Sequence, residues 1–410
     1  MKLDGHLVAD WKKIPTHIQA MEAAGFDGVG SAEMNHDPFF PLLLAAEHSE
    51  KIELRTSIAV AFARSPMILA NLGHDLNAYS QGRFTMGLGS QIRAHITKRF
   101  SMPWGAPAGQ MKELIQAMRA IWANWYDGEP LRFEGKYYNH TLMTPAFTPQ
   151  DNEYGAPKVT LAAVGPIMTR IAGEVADGLI IHPFSNEKYI REVTLPAVQE
   201  GLRRSGRSMD DFEISYSPFI ISGKDEQTFE VQKAAAKNRI SFYGSTPAYK
   251  QVLGAHGWGD LQPELNAMSK QGKWADMAEL VTDDMLNVFA VMGEPETVVP
   301  TMKARYGDSL NKEQSMKLLT IEAGLASARG DEDAARQSLE QIVEQDATQA
   351  GALIELARIY YKQARKLRIE MFTGDTDTEI EITELVQRAI LKLEQAARHQ
   401  DFRHEALTEH

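Results

Sequence analysis

Four short stretches carry residue types that can bind or transform a small molecule. In SAEMNHDPF, residues 31–39, Glu33 and Asp37 flank the imidazole of His36. Carboxylates and imidazoles exchange protons near neutrality, so Glu33 and His36 are the candidates for general acid–base work. One histidine with two acids is a thin ligand set for a metal, and none is expected. The same residues also suit a turn, because Asp37-Pro38 is a helix-start signal. In GLGSQIRAH, residues 87–95, Gly87 and Gly89 admit a flat ring or a second backbone, and Ser90 and Gln91 offer hydrogen bonds. A plain loop between strand and helix needs glycine too. In LAAVGPIMTR, residues 161–170, an apolar run ends at Gly165-Pro166 and a helix begins at once. Glycine permits close approach to the backbone. Proline suits the first helical position, where its missing N–H is not needed. The free N–H groups and the helix dipole then favour an anion, and a phosphate is the natural one. A simple tight corner would read the same. In RTSIAVAFARSP, residues 55–66, polar Thr56 and Ser57 interrupt a β-branched run, and Arg64 reaches toward an anion or into solvent. His182, at the end of a further run, either faces the same mouth or is structural.

These residues need elements that bring them to one edge. Apolar runs at 2–7, 28–33, 52–60, 83–89, 158–164, 178–182, 212–221 and 286–293 alternate with helix-period segments. The helices are expected at 14–24, 39–49, 66–79, 110–126, 167–176, 187–204 and 295–306, with a small β insertion at 131–138. Such alternation implies βαβ units and a parallel sheet. Eight of them predict an α/β fold, a (β/α)8 TIM barrel, with its site at the C-terminal ends of the strands. A doubly wound sheet also alternates, but no GxGxxG follows the first run.

After Asp308 the texture changes to charged, alanine-rich helical sequence. The expected domains are therefore 1–308 and 309–410, the second a small all-α segment of helical hairpins. It resembles tetratricopeptide repeats. Gly330-Asp331 matches the turn between paired helices, and Ala335, Leu339 and Ile342 match packing positions. Leu356, Ala357 and Tyr360 continue the register. MFTGDTDTEIEI, residues 371–382, interrupts it, and 403–410 would begin a third unit. Gln345-Asp346-Ala347 lacks the proline usual there. The formal net charge of -12 disfavours nucleic acid and anionic membranes. The absence of cysteine excludes disulfides and thiolate chemistry. With no membrane-length apolar run and no secretory signal at the N-terminus, a cytoplasmic protein is expected.

Residues 1 to about 307 resemble the luciferase-like monooxygenase superfamily, and within it the branch of coenzyme F420-dependent oxidoreductases. GFDGVGSAEMNHDPF, SIAVAFARSP, GRFTMGLGSQIRAHITKRFSMPW, LAAVGPIMTRIAGEVADGLIIHPF and SFYGSTPAY carry the resemblance. It implies that Val164, Gly165, Pro166 and Ile167 hold the cofactor phosphate. It implies a non-proline cis peptide at Ser57–Ile58 against the back of the ring, with Gly89, Ser90 and Gln91 beside it. Glu33 takes the family's acid position, and Met34 stands where a histidine is frequent, so His36 is expected to substitute. Ser90 stands where some relatives place a glutamate. The implied chemistry is hydride transfer between the deazaflavin and a small organic substrate such as an alcohol or hemiacetal. A flavin mononucleotide (FMN)-dependent monooxygenase is the alternative on the same barrel. An alternative of another class is a protein-interaction scaffold acting through the helical tail, with a protein partner there. Relatives of the barrel commonly form homodimers.

Overall fold

The computed structural model describes residues 2–8, 10–150, 153–223, 225–306, 332–345, 352–353, 356–363 and 376–397. The chain divides into two compact units, Leu3–Arg305 and a second that starts at Tyr306.

The first unit is built on one curled parallel sheet. Its strands are β1 (Asp4–His6), β2 (Gly28–Ser31), β3 (Glu53–Thr56), β5 (Phe84–Gly89), β8 (Lys158–Ala163), β9 (Gly178–Ile181) and β10 (Glu213–Tyr216), paired in that order, with β4 (Ala59–Val60) also on β5. Side chains alternate between the two faces, so register partners share a face. Val29, Leu54, Met86, Leu88, Val159, Leu161 and Leu179 lie on the outer face and are fully buried. Helices cover them: α1 (Ile14–Ala23), α2 (Phe39–Glu47), α3 (Pro66–Tyr79), α4 (Pro107–Asp127) and α5 (Pro166–Val175). Helix α4 shows why. Met111, Leu114, Ile115, Met118, Ile121 and Trp122 recur at helical spacing and are all buried. Each such side chain contributes roughly 1.5–3 kcal/mol by leaving water. The helix stops at Gly128, which takes the left-handed conformation at φ 71°.

The inner face is different. One row joins Gly87, Thr160 and Gly178, and another joins Gly30, Arg55 and Thr85. Arg55 fills the lower lumen, 3.1 Å from Asp4 of β1 and 3.0 Å from Glu213 of β10. Those two strands are the opposite ends of the sheet. One guanidinium reaches both, so the sheet curls until its edges face each other.

The expected eight-stranded closure is not formed among the described residues. The run at 212–221 splits at Ser217-Pro218 into β10 and β11 (Phe219–Ile221). Proline has no N–H for a ladder, which ends β10 there. The run at 286–293 begins as helix: a short helix spans Asp283–Phe289, and only Ala290–Met292 forms a strand, β12. Thr282 caps Met285 N–H, and Asp283 and Asp284 favour the first turn, so the helix start overrides the apolar pattern. Strands β11 and β12 pair only with each other, in parallel. The sheet is thus a half-barrel with a separate two-stranded ladder. The β insertion at 131–138 is a short antiparallel pair, β6 (Phe133–Glu134) and β7 (Asn139–His140). The Glu113 carboxylate accepts from the turn N–H groups of Lys136, Tyr137 and Tyr138 and holds that hairpin on α4.

In the second unit, helices Glu332–Gln345 and Thr376–Ala397 and the helical residues 356–363 share one apolar cluster. Ala335, Leu339 and Ile342 meet Leu356, Ala357, Tyr360, Ala389 and Leu393 there. The interruption expected at 371–382 is helical from Thr376 onward. Gly330-Asp331, Asp346-Ala347 and 403–410 lie outside the described residues. No described helix is long and apolar enough to cross a membrane.

Candidate active site

At the C-terminal edge of the sheet the third strand breaks. Arg55 pairs with Thr85, but Ala59 pairs with Leu88, so three residues on one side oppose two on the other. This is a one-residue bulge. The Ser57–Ile58 peptide within it is cis. The Thr56 hydroxyl donates to Gly87 O at 2.7 Å and accepts from Gly87 N–H at 2.8 Å, replacing the lost ladder bonds. Gly87 must be glycine here, because a Cβ would stand 1.9 Å from Thr56 O. A Cβ on Gly89 would stand 2.8 Å from the Ile58 side chain. The chain's own bulge therefore accounts for both glycines. Ser57 and Ile58 remain half-buried at the mouth.

Glu33 is buried and fully engaged. Its carboxylate accepts from Val60 N–H and from Arg64 Nη1, both at 2.7 Å. Arg64 Nη2 donates to Asp37 at 2.8 Å, and Asp37 also caps Phe39 N–H at 2.9 Å. Burial opposes the charge on Arg64, yet the two carboxylates outweigh it and hold its pKa above the usual value. The cluster pins β4 to the loop after β2. His36 lies apart from it, exposed and edge-on to Trp11 at 5.6 Å. The sequence grouped Glu33 with His36; the structure groups Glu33 with Arg64. Glu33→Gln, which keeps the shape and removes the charge, should lower stability by about 2 kcal/mol. His36→Gln should change it by less than about 0.5 kcal/mol. Denaturant unfolding of both variants checks this.

Across the mouth, α5 begins at Pro166 with Gly165 as its N-cap, and no side chain caps the first turn. Gly165 is extended (φ -75°, ψ 150°), and a Cβ there would meet no atom within 4 Å. Neither backbone angle nor packing requires glycine at this position. Ile167 is exposed beside it, and Val164 O accepts from the Tyr189 hydroxyl at 3.2 Å. After β5, Gln91 adopts φ 56°, unusual for a residue with a side chain. Its carbonyl accepts from the Ser90 hydroxyl at 3.2 Å. Ser90 and Gln91 line a cavity of about 570 Å³ together with Trp104, Met168, Thr246 and Asn266. Gly89, Ser90 and Gln91 on one side and Val164 to Ile167 on the other thus border the same edge.

Two imidazoles occupy inner-face positions at this edge. His6 pairs with Gly30 in register, and its Nδ1 lies 3.4 Å from where a Gly30 Cβ would stand, with Ser57 Cβ at 3.1 Å. His182 is one pleat beyond Ile180, whose side chain reaches across to Gly87. Burial lowers the His182 pKa to about 4, so the ring is neutral. Sequence reasoning passed over His6. Strand parity from Asp4 was the available signal, but it needs the knowledge of which face is the lumen.

The luciferase-like monooxygenase profile matches residues 2–313. The chain belongs to the luciferase-like monooxygenase family. An uncharacterised protein of Mycobacterium tuberculosis is 51% identical over 305 residues, covering 74% of this chain and 90% of its own. The 5,10-methylenetetrahydromethanopterin reductase of Archaeoglobus fulgidus is 25% identical, covering 73% and 88%. Among solved structures, the coenzyme F420-dependent tetrahydromethanopterin reductase of Methanopyrus kandleri superposes with TM-score 0.62 at 25% identity, covering 78% of this chain and 97% of that one. The family is one of oxidoreductases, and the matched segment takes in the whole of the first unit, Leu3–Arg305.

Proposed function

We propose that this luciferase-like protein is a coenzyme F420-dependent oxidoreductase acting on a small organic substrate such as an alcohol or hemiacetal. The observation that carries the reading is Gly165. A glycine with no conformational or packing need opens an uncapped helix start onto the mouth. The residues fit an elongated cofactor with a flat ring and an anionic group. Val164, Gly165, Pro166 and Ile167 would hold the phosphate by close backbone approach, free N–H groups and the α5 dipole. Ser57 and Ile58 would back the ring, with Gly89, Ser90 and Gln91 at its flank. When bound, F420 supplies hydride transfer at its deazaflavin carbon. The protein's part is to orient, to exclude water and to move one proton. Glu33 is the acid of the original pair, and in this geometry it holds Arg64 and Val60. His6 stands closer to the lumen than His36 and joins it as a candidate for the proton relay.

The Methanopyrus kandleri relative, whose name specifies dependence on coenzyme F420, supports F420 over FMN. Equilibrium titration of the apo protein with each cofactor tests the reading, and F420 should bind at least about ten-fold tighter. Tight binding of FMN alone would favour an oxygen-using monooxygenase. Binding of neither would turn attention to a protein partner for the C-terminal helices.

A further inference from the structure

We infer that His182 Nε2–H, flanked by the rings of Tyr243 and Tyr249, is a built hydrogen-bond-donor subsite for an oxygen of the bound cofactor. The inference rests on the cofactor reading above.

The tautomer is fixed by the chain itself. Phe184 N–H donates to His182 Nδ1 at 3.0 Å. Nδ1 is therefore the acceptor, and in the neutral ring the proton is on Nε2. The ring is also fixed in place. Tyr243 meets it edge-on at 4.6 Å between centroids, and Tyr249 lies at 5.0 Å. Phe184 stacks on Tyr249 at 5.7 Å and on Phe289 at 4.7 Å, which anchors the group to the core. Three donors remain. Among the described residues, no hydrogen bond is made by His182 Nε2 or by the hydroxyls of Tyr243 and Tyr249. None of the three is a sealed atom, so each opens to accessible space. A rigid, unpartnered donor set costs little reorganisation when it meets an acceptor. Burial and the neighbouring Tyr243 push the Tyr249 pKa up to about 12, so its hydroxyl stays protonated.

Position selects the ligand. Ala162 pairs with Ile180 and Ala163 with Ile181, so the next rung sets Val164 beside His182. Val164 opens the proposed phosphate loop. Tyr243 and Tyr249 bracket Ser245 to Ala248, which line the 570 Å³ cavity with Ser90, Gln91 and Met168. The subsite therefore lies between the loop after β8 and that cavity. With no carboxylate among its members it takes an acceptor, and its oxygen could come from the phosphate or from the ring and ribityl chain.

Titration of wild-type protein, His182→Phe and Tyr249→Phe with F420, with its phosphate-free riboside, and with FMN and riboflavin tests this. Phenylalanine keeps the aromatic packing and removes the donor; at His182 it also removes the Nδ1 acceptor of Phe184 N–H, so Tyr249→Phe is the variant that isolates a donor. Both variants should bind F420 about ten-fold more weakly. An equal loss for the riboside places the contact on the ring or ribityl chain; a loss confined to the phosphorylated form places it on the phosphate. In ¹⁵N-histidine-labelled wild-type protein, the His182 Nε2 resonance should shift on adding F420, which a purely packing role would not produce. Unchanged affinities in both variants, or weakened affinity with an unshifted resonance, overturn the subsite alone. Wild-type protein that binds none of the four overturns the cofactor reading and the subsite with it.

Discussion

Arg55→Met is expected to destabilise the first unit by about 3–5 kcal/mol, because it removes one side of a buried ion cluster. Arg55 is only 3% exposed. It stands 3.1 Å from Asp4 and 3.0 Å from Glu213, with Glu53 at 3.6 Å. Burial works against its charge, but the surrounding carboxylates outweigh that and raise its pKa above the usual value. Methionine fills similar volume and leaves those carboxylates facing one another in the lumen. It also cuts the link between β1 and β10, the two ends of the curled sheet. Arg55→Lys keeps the charge but replaces a planar fork by a point donor, which cannot span both strands as well, so its loss should be intermediate. Adding Asp4→Asn and Glu213→Gln to Arg55→Met should recover part of the stability, since of the three carboxylates only Glu53 then keeps its charge. Urea unfolding at neutral pH measures all three. A methionine variant within about 1 kcal/mol of wild type would mean that the covering helices, not the lumen cluster, hold the curl.

The sequence shows the outer face of this sheet more clearly than the inner one. Val29, Leu54, Met86 and Leu161 belong to apolar runs whose only sensible place is under helices, and α3 was legible to its ends at Pro66–Tyr79. Failures fell where local signals compete. Thr282-Asp283-Asp284 starts a helix inside an apolar run, and Pro218 divides what reads as one strand. The inner face was harder because its residues are small or polar and read as loop. Arg55 looks like an exposed strand residue until β1 and β10 meet around it. The site divided along the same line. Gly165-Pro166 is a local strand-to-helix signal and appears as expected. The partnership of Glu33 with Arg64 spans 31 residues and depends on the bulge that brings β4 beside the loop after β2. The neutrality of His182 depends on burial by Tyr243 and Tyr249, which no spacing in the sequence reveals.

Gly87→Ala and Gly165→Ala should separate glycine needed by the fold from glycine kept for a ligand. At Gly87 the added methyl would stand 1.9 Å from the Thr56 carbonyl oxygen and 3.0 Å from Ile180. The first of these is backbone, held by two hydrogen bonds through Thr56 Oγ1, so the bulge itself must move. Overpacking of that kind is expected to cost about 3 kcal/mol or more. At Gly165 the added methyl meets nothing within 4 Å, and φ -75° suits any residue. There alanine should leave stability unchanged or raise it by about 0.4–1 kcal/mol through a less free unfolded chain. Its effect should appear in binding instead. A methyl projecting over the start of α5 keeps an anionic group from reaching the backbone, and affinity for the cofactor should fall by about ten-fold or more. Thermal unfolding with and without F420 reads both quantities in one experiment, because a bound ligand raises stability, and with it the melting temperature, by an amount that grows with the logarithm of ligand concentration over Kd. The expected pattern is a lowered melting temperature for Gly87→Ala in the apo protein, and for Gly165→Ala a normal apo value with a diminished shift on adding F420. A full ligand-induced shift in Gly165→Ala would reduce the strand-to-helix junction to a tight corner and move the search for the phosphate to the loop after β5.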